Sequence, residues 1–229
     1  MNIVTEWMIS HALLLLLSAG TVFNVIWLTT FRNRLQMKMG AVLIVSILHT
    51  VFGVMAVRLF AFAEGGFDSS KAGNMSLFGG VFLMPIAYWL GAKLTKRSMK
   101  EVYDLLTICM VFTLMCARIN CIISGCCKGM LIPGQQMRWP TREAEIIFYI
   151  ILLFLLGKRV KRDEMCGQTY PIYMMSYGIF RFIIEGFRFH EDTSLIHPAH
   201  IWALLSFGVG FSIYAELQKK NKKGMSKKK

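Results

Sequence analysis

Apolar residues come in long runs along this chain, and the polar and charged residues are concentrated in short stretches between them. A helix needs about 20 predominantly apolar residues to cross a lipid bilayer. By run length, the pattern predicts about seven spanning helices, at approximately residues 11–30, 41–62, 77–92, 103–123, 144–157, 170–184 and 200–215. The predicted fold class is therefore an all-α polytopic membrane protein.

Composition agrees with this interpretation. Hydrophobic residues make up 55% of the chain and charged residues only 17%, whereas a soluble domain carries about 25% charged residues. The first apolar run, residues 12–28, is longer than the roughly 7–15-residue core of a signal peptide, so we expect it to be retained as a helix. We predict one transmembrane domain, residues 1–218, followed by a basic tail, residues 219–229.

The net charge of +13 is distributed in a way that indicates orientation rather than nucleic-acid binding. Lysines and arginines dominate the segments after the first, third, fifth and seventh predicted helices, and the alternate segments have a more balanced charge. Because basic loops stay in the cytoplasm, we expect the N-terminus outside and the C-terminus in the cytoplasm. A basic tail beside an anionic leaflet is consistent with that orientation.

Charged residues recur at the predicted outer ends of the helices. Arg118 lies late in the fourth predicted helix, and Arg181 and Glu185 lie late in the sixth. A fixed charge in the bilayer is costly and usually functional, and the planar guanidinium group suits a phosphate better than an ammonium group does. Carboxylates beside such arginines would orient them or move a proton. The candidate anion-binding group is Arg118, Arg138, Glu145, Arg181, Glu185 and Arg188, with the last three predicted on one helical face.

Three cysteines follow Arg118, in the segment Arg-Ile-Asn-Cys-Ile-Ile-Ser-Gly-Cys-Cys-Lys-Gly. Cys121, Cys126 and Cys127 are predicted to lie on the outer side. Four interpretations remain open: small thiols in a tight turn, a disulfide from Cys121 to Cys126 or Cys127, a catalytic thiolate beside Arg118, or a metal site. The histidines that would complete such a metal site are His190, His197 and His200.

These motifs together resemble the prolipoprotein diacylglyceryl transferase family. Arg118 matches the first arginine of the family signature, Gly125 its central glycine and Gly129 its closing glycine. Later in the chain, Pro140 and Thr141 match a second family element. The late run of the family is matched by Tyr177, Gly178, Arg181, Glu185 and Arg188.

The chain departs from the family pattern at four places. The N-terminal Arg-Trp-Tyr-Gly-like element of the family is not visible. Cys121 replaces the asparagine of the signature, and Cys126 replaces its glutamate. Phe78 stands where the family has a histidine before two glycines.

The resemblance implies a bacterial cell-membrane enzyme with seven spanning helices and no metal or cofactor. It would transfer the diacylglyceryl group of phosphatidylglycerol to the lipobox cysteine of a prolipoprotein, with membrane lipids around it. The implied catalytic residues are Arg118, Arg181, Glu185 and Cys126. The implied substrate-binding residues are Arg118, Gly125, Gly129, Arg138, Glu145, Tyr177 and Arg188. The alternatives are a non-catalytic lipid-binding accessory protein of the same fold, or a related headgroup transferase with another acceptor.

Overall fold

The protein is described here by a computed structural model that covers residues 10–68, 75–190 and 196–226. Within these ranges it forms seven α-helices and no regular β-strand, which confirms the predicted all-α class. The helices are α1 (Ala12–Thr30), α2 (Met39–Glu64), α3 (Phe78–Leu94), α4 (Met99–Ile123), α5 (Thr141–Lys161), α6 (Thr169–Glu185) and α7 (Pro198–Ser226).

Four of these helices are long and apolar enough to cross a membrane by length and composition, in a search restricted to the described residues. They are α1, α2, α4 and α7, and α3 is a shorter apolar helix. This confirms a polytopic membrane protein. The number of seven crossings and the orientation stay predictions.

Helix α5 has the distribution of charge that a crossing helix needs. Its charged residues lie within its first five and its last four residues. Its 21 residues extend over about 31 Å, close to the thickness of the hydrocarbon core. The side chains exposed in its middle are large and apolar: Ile147, Ile150, Ile151, Phe154 and Leu155. This exposed apolar face supports a position in contact with lipid.

Helix α4 is the centre of the bundle and packs against α1, α3 and α5. Leu105, Ile108 and Val111 on α4 are at most 1% exposed. Helix α6 packs mainly against α7. The long α7 continues to Ser226, so it extends across the predicted boundary at residue 218. The division of the chain at that boundary stays a prediction.

His49 is a buried histidine whose ring nitrogens both have partners. Its Nδ1 lies 3.3 Å from the Asn24 amide nitrogen, and its Nε2 lies 2.8 Å from the Tyr88 hydroxyl. The Tyr88 hydroxyl also donates to the Leu106 carbonyl. This network joins α1, α2, α3 and α4 and explains a polar group in the core without a catalytic role.

The predicted cytoplasmic end of the bundle is held together by polar contacts. Arg34, after α1, pairs with Glu101 of α4 and Asp163 after α5, and it donates to the Val160 carbonyl. Asp104 is 1% exposed and accepts hydrogen bonds from the backbone nitrogens of Gly167 and Thr169 and from the Thr169 hydroxyl. The loops at this end are therefore fixed to the first turns of α4.

The topology predicts opposite accessibility for two loops. Gln135, between α4 and α5, and Cys166, between α5 and α6, are both exposed. In right-side-out vesicles, a membrane-impermeant maleimide should label the Q135C thiol and should reach Cys166 only after permeabilisation. Mass spectrometry of the labelled peptides measures both sites. If Cys166 were labelled in sealed vesicles and Q135C were protected, the orientation would be the opposite of the predicted one.

Candidate functional site

Three helix ends meet at the end of the bundle opposite Arg34. The last turns of α4 carry Arg118, the first turns of α5 carry Glu145, and the end of α6 carries Arg181 and Glu185. Successive helices in this part of the chain alternate in direction, and this places the end of α4, the start of α5 and the end of α6 together. All four side chains are buried, with 2–5% of their surface exposed. Four of the six charged residues predicted from sequence are thus brought together.

The four buried side chains and Arg188 form a network of alternating charge. Arg118 Nε pairs with Glu145, and Arg181 Nη1 lies 3.2 Å from the other oxygen of that carboxylate. Arg181 Nη2 lies 2.6 Å from Glu185 Oε2, and Arg188 Nη1 lies 3.5 Å from the same oxygen. We call these five residues the arginine–carboxylate network. Three cations against two anions leave it with one positive charge in excess.

Arg188 reaches this network from outside α6. Helical spacing predicts Arg181, Glu185 and Arg188 on one helical face, but α6 ends at Glu185 and Arg188 lies three residues beyond. It is held there by an antiparallel bridge to Gly129. His190 was not included with the anion-binding group, although its Nε2 lies 3.3 Å from Glu185 Oε1. Its position after the helix end gave no periodic signal.

The loop between α4 and α5 is shaped by two glycines. Gly125 has a φ of +69°, a left-handed conformation that ends α4 and that residues with a Cβ rarely adopt. At Gly129 a Cβ would collide with the carbonyl oxygen of Trp139. The loop closes on itself and on the segment after α6, since Met130 N donates to the Phe187 carbonyl at 2.9 Å and Trp139 N donates to the Met130 carbonyl at 3.0 Å. Steric constraints therefore explain why both positions need glycine. The substrate-binding role of the two glycines stays a prediction.

Cys121, Cys126 and Cys127 lie together at the start of this loop, and we call them the thiol cluster. Their sulfur atoms are all within 4.8 Å of one another, and all six cysteines of the chain are free thiols. Arg118 Nη1 donates to Cys121 Sγ at 3.9 Å and to Cys127 Sγ at 3.7 Å. Arg118 therefore joins the thiol cluster to the arginine–carboxylate network.

The three thiols differ in their surroundings. Cys126 is exposed; its sulfur accepts a hydrogen bond from the Ser124 hydroxyl at 3.3 Å, and its thiol donates to the Cys121 carbonyl at 3.8 Å. The described hydrogen bonds of Arg118 go to the other two sulfurs. The pKa of Cys127 is lowered well below its ordinary value, because its sulfur accepts a hydrogen bond from the Cys121 thiol and lies near the positive charges of Arg188 and Arg118. Of the three, Cys127 is the thiol placed to ionise beside Arg118. The catalytic role expected for Cys126 stays a prediction.

Two further arginines have different positions from those in the network. Arg142 donates to the carbonyl oxygens of Cys121 at 3.4 Å and Cys126 at 3.5 Å, so it holds the thiol cluster in place. This contact could not be predicted from the sequence, because backbone acceptors leave no residue pattern. Arg138 is exposed, and it donates to the Gly129 carbonyl at 3.0 Å and lies over the Phe189 ring. Arg138 thus stabilises the loop, and its substrate-binding role stays a prediction.

Three buried tyrosines line the inner side of the network. Tyr177 is 1% exposed, and its hydroxyl has no hydrogen-bond partner among the described residues. Its ring stacks on those of Tyr149, at 6.4 Å between centroids, and Tyr173, at 5.8 Å. A buried hydroxyl without a protein partner is costly unless water or a ligand binds it. Tyr149 lies one turn after Glu145, and Tyr173 one turn before Tyr177, so helical spacing from the predicted residues would have found both.

Comparison with known proteins agrees with this arrangement. The family model for prolipoprotein diacylglyceryl transferase matches residues 11–215. The chain belongs to the prolipoprotein diacylglyceryl transferase family. The match covers all of the network, the thiol cluster and the tyrosines, so the resemblance seen in the sequence motifs is confirmed.

Curated relatives carry the name phosphatidylglycerol–prolipoprotein diacylglyceryl transferase. The family member from Pasteurella multocida is 32% identical over 127 residues, which is 51% of this chain and 47% of that protein. The family member from Polaromonas naphthalenivorans is 28% identical over 134 residues, which is 52% of this chain and 49% of that protein. The family member from Clostridium tetani is 21% identical over 154 residues, which is 60% of this chain and 62% of that protein. This chain spans about half the length of the first of these relatives.

Glu145 should be the most important carboxylate for stability. The E145Q substitution removes the carboxylate that pairs with Arg118, leaving a buried cation with no charged partner among the described ion pairs. We expect a loss of about 3 kcal/mol in unfolding free energy, seen as a lower thermal midpoint in detergent. E143Q, two residues away, is the matched control, because Glu143 is 46% exposed and 3.9 Å from Arg142, and such surface pairs contribute under about 1 kcal/mol. Equal midpoints for the two variants would contradict the prediction.

Proposed function

We propose that this chain transfers the diacylglyceryl group of phosphatidylglycerol to the lipobox cysteine thiol of a prolipoprotein, at the outer face of a bacterial cell membrane. Membership of the family and the names of its relatives support this reaction. The observation that carries it is the buried arginine–carboxylate network, because a helix bundle in lipid keeps such charges only for a polar ligand or a structural need.

The excess charge of the network suits the phosphate of the donor lipid. A phosphodiester carries one negative charge, and the network carries one positive charge more than its two carboxylates compensate. Arg118 and Arg181 would contact the phosphate as charge-assisted donors. The unpartnered hydroxyl of Tyr177 would donate a further hydrogen bond to the headgroup.

The geometry also fits the chemical step. When the acceptor sulfur attacks the glyceryl carbon, a C–S bond forms and the C–O bond to phosphate breaks, so the leaving glycerol phosphate gains charge. Donors fixed in advance stabilise that charge best. Glu145 fixes Arg118 and Arg181 relative to each other, and Glu185 fixes Arg181 from the other side. The carboxylates therefore act as positioning residues for the arginines.

The donor lipid needs a route for its acyl chains beside the network. Ala117, next to Arg118, lines an apolar groove together with Val57 and Leu114. His49 and Met84 line both this groove and a second, partly open apolar cavity of about 420 Å³, which extends toward the Arg34 end of the bundle. A diacylglyceryl group held with its phosphate at Arg118 would thus have apolar surface for its chains, and it would enter sideways from the bilayer.

Loss of either arginine should stop the reaction without unfolding the protein. In R118A, Glu145 keeps Arg181 as a partner, and in R181A the carboxylates keep Arg118 and Arg188. We expect each variant to lower the transfer rate at least about a hundredfold, because one preorganised donor is lost. The assay combines purified protein, phosphatidylglycerol and a lipobox peptide, with mass spectrometry of the diacylglyceryl thioether.

R58A is the control for this assay, since Arg58 is exposed on α2 and belongs to none of these contacts. It should retain the wild-type rate. If wild-type protein forms no thioether with any lipobox peptide, the proposal is overturned in favour of a lipid-binding accessory protein of the same fold.

Tyr177 separates substrate binding from stability. Y177F removes a hydroxyl that no described residue uses, so the thermal midpoint should not fall. Because a hydrogen bond to a charged group contributes about 1.5–3 kcal/mol, we expect kcat/KM for phosphatidylglycerol to fall about tenfold or more.

Y170F is the matched control on the same helix, because the Tyr170 hydroxyl donates to the Val81 carbonyl. It should lower the midpoint and leave kcat/KM of the folded protein near the wild-type value. If Y177F lowered the midpoint and left kcat/KM unchanged, while Y170F lowered kcat/KM, Tyr177 would have only a structural role.

A further inference from the structure

We infer that the thiol cluster binds one thiophilic divalent metal ion of the Zn²⁺ class through Cys121, Cys126 and Cys127, with a fourth coordination position open to the thiol of the acceptor. The open position rests on the proposed function, whereas the three-thiolate site rests on the structure alone. The acceptor would then be held on the metal beside Arg118, where the phosphate leaves.

The distances between the sulfur atoms fit a metal site. With a Zn–S bond of about 2.3 Å, two thiolates of a tetrahedral site lie about 3.8 Å apart. The three sulfurs here are within 4.8 Å of one another, so movements of about 1 Å, within the reach of a thiol rotation, bring them to that separation. Each of the three is a free thiol with no disulfide partner.

The backbone that carries these thiols is held by contacts outside the cluster. Cys121 lies in the last turn of α4, and Arg142 fixes the carbonyl oxygens of Cys121 and Cys126. The Thr141 hydroxyl donates to the carbonyl oxygen of Cys127 at 3.4 Å. A site assembled in advance costs little ordering when the metal binds.

Polar groups around the sulfurs suit thiolates bound to a metal. The Ser124 hydroxyl donates to Cys126 Sγ, and Arg118 donates to the sulfurs of Cys121 and Cys127. Such outer contacts orient metal ligands and tune them. Three thiolates and a divalent ion carry one negative charge in total, which Arg142 and Arg118 stabilise.

The number of ligands indicates an open position. Among the described residues, the group that can hold a metal contains three thiols and no fourth histidine, cysteine or carboxylate. Three protein ligands with a free fourth position are the arrangement of catalytic zinc sites, whereas structural sites have four protein ligands. A disulfide would use two of the thiols and leave the third without a role.

The open position fits the acceptor chemistry. A free thiol has a pKa of about 8.5, and a thiol that coordinates zinc is deprotonated outright. The acceptor proton would pass to water as the sulfur binds the metal. The sulfur lone pair then forms the C–S bond, and the electrons of the C–O bond leave with the glycerol phosphate toward Arg118 and Arg181. No group is oxidised or reduced in this step.

The test measures metal binding independently of activity. The full chain in detergent is reduced, treated with a chelator, exchanged into metal-free buffer and titrated with Zn²⁺ and Cd²⁺. We expect one ion per chain by elemental mass spectrometry and a Cd²⁺–thiolate charge-transfer band. C121A, C126A and C127A should each weaken binding about a hundredfold or more.

C166A is the matched control, because Cys166 is an exposed free thiol at the other end of the bundle. It should bind like the wild type. Three results would each overturn the metal site. One is a loss of binding in C166A as large as that in the cluster variants, and another is no binding at all in the reduced protein. The third is a native Cys121–Cys126 or Cys121–Cys127 disulfide that persists with metal present.

X-ray absorption of the Zn²⁺ form tests the open position. We expect three sulfur ligands and one light atom in the resting protein, and four sulfur ligands when a lipobox peptide is added. A peptide with serine in place of the lipobox cysteine should leave three. Three sulfurs with both peptides would overturn the acceptor-binding role.

The two proposals fail in different ways. Thioether formation by wild-type protein that binds no metal would overturn this inference and leave the proposed function standing. Metal bound by the three cysteines, in protein that forms no thioether, would sustain the site and overturn the proposed function.

Discussion

Glu145 lies between two arginines from different helices, and the end of the bundle opposite Arg34 depends on that contact. Arg118 comes from the end of α4 and Arg181 from the end of α6, and each pairs with a different oxygen of this carboxylate from the start of α5. Without it, two buried cations would repel each other in a medium of low dielectric constant. With it, three helix ends are held at one depth, and both guanidinium groups keep donors for an anion.

The loop after α4 brings a second kind of chemistry to the same place. Gly125 ends the helix, the close contact at Gly129 closes the loop, and Arg142 holds the backbone of Cys121 and Cys126. Arg118 contacts both the thiols and Glu145. The family resemblance implies an asparagine and a glutamate where this chain has Cys121 and Cys126. This chain therefore has thiols at two positions where the family pattern has an amide and a carboxylate, and one of them, Cys121, contacts Arg118.

Much of the fold was predictable from the sequence, because a membrane constrains it strongly. Every backbone polar group in lipid must be satisfied within its own segment, so long apolar runs become helices. The seven predicted ranges each fall on one observed helix, and errors are confined to the ends, as with α7, which continues to Ser226. Arg118, Arg181 and Glu185 stood out because charges inside apolar runs are rare. Tyr177 was found only through the family motif.

By itself, the sequence determined the helices, the all-α class and the positions of the intramembrane charges, since these follow from local hydropathy and backbone hydrogen bonding. Only the tertiary structure decided which charges meet. Arg138 and Arg181 look alike in sequence, yet one binds a loop carbonyl and the other is buried between two carboxylates. Contacts between side chains and distant backbone atoms, such as those of Arg142, leave no pattern along the chain. They depend on how helix ends pack, which is a property of the whole bundle.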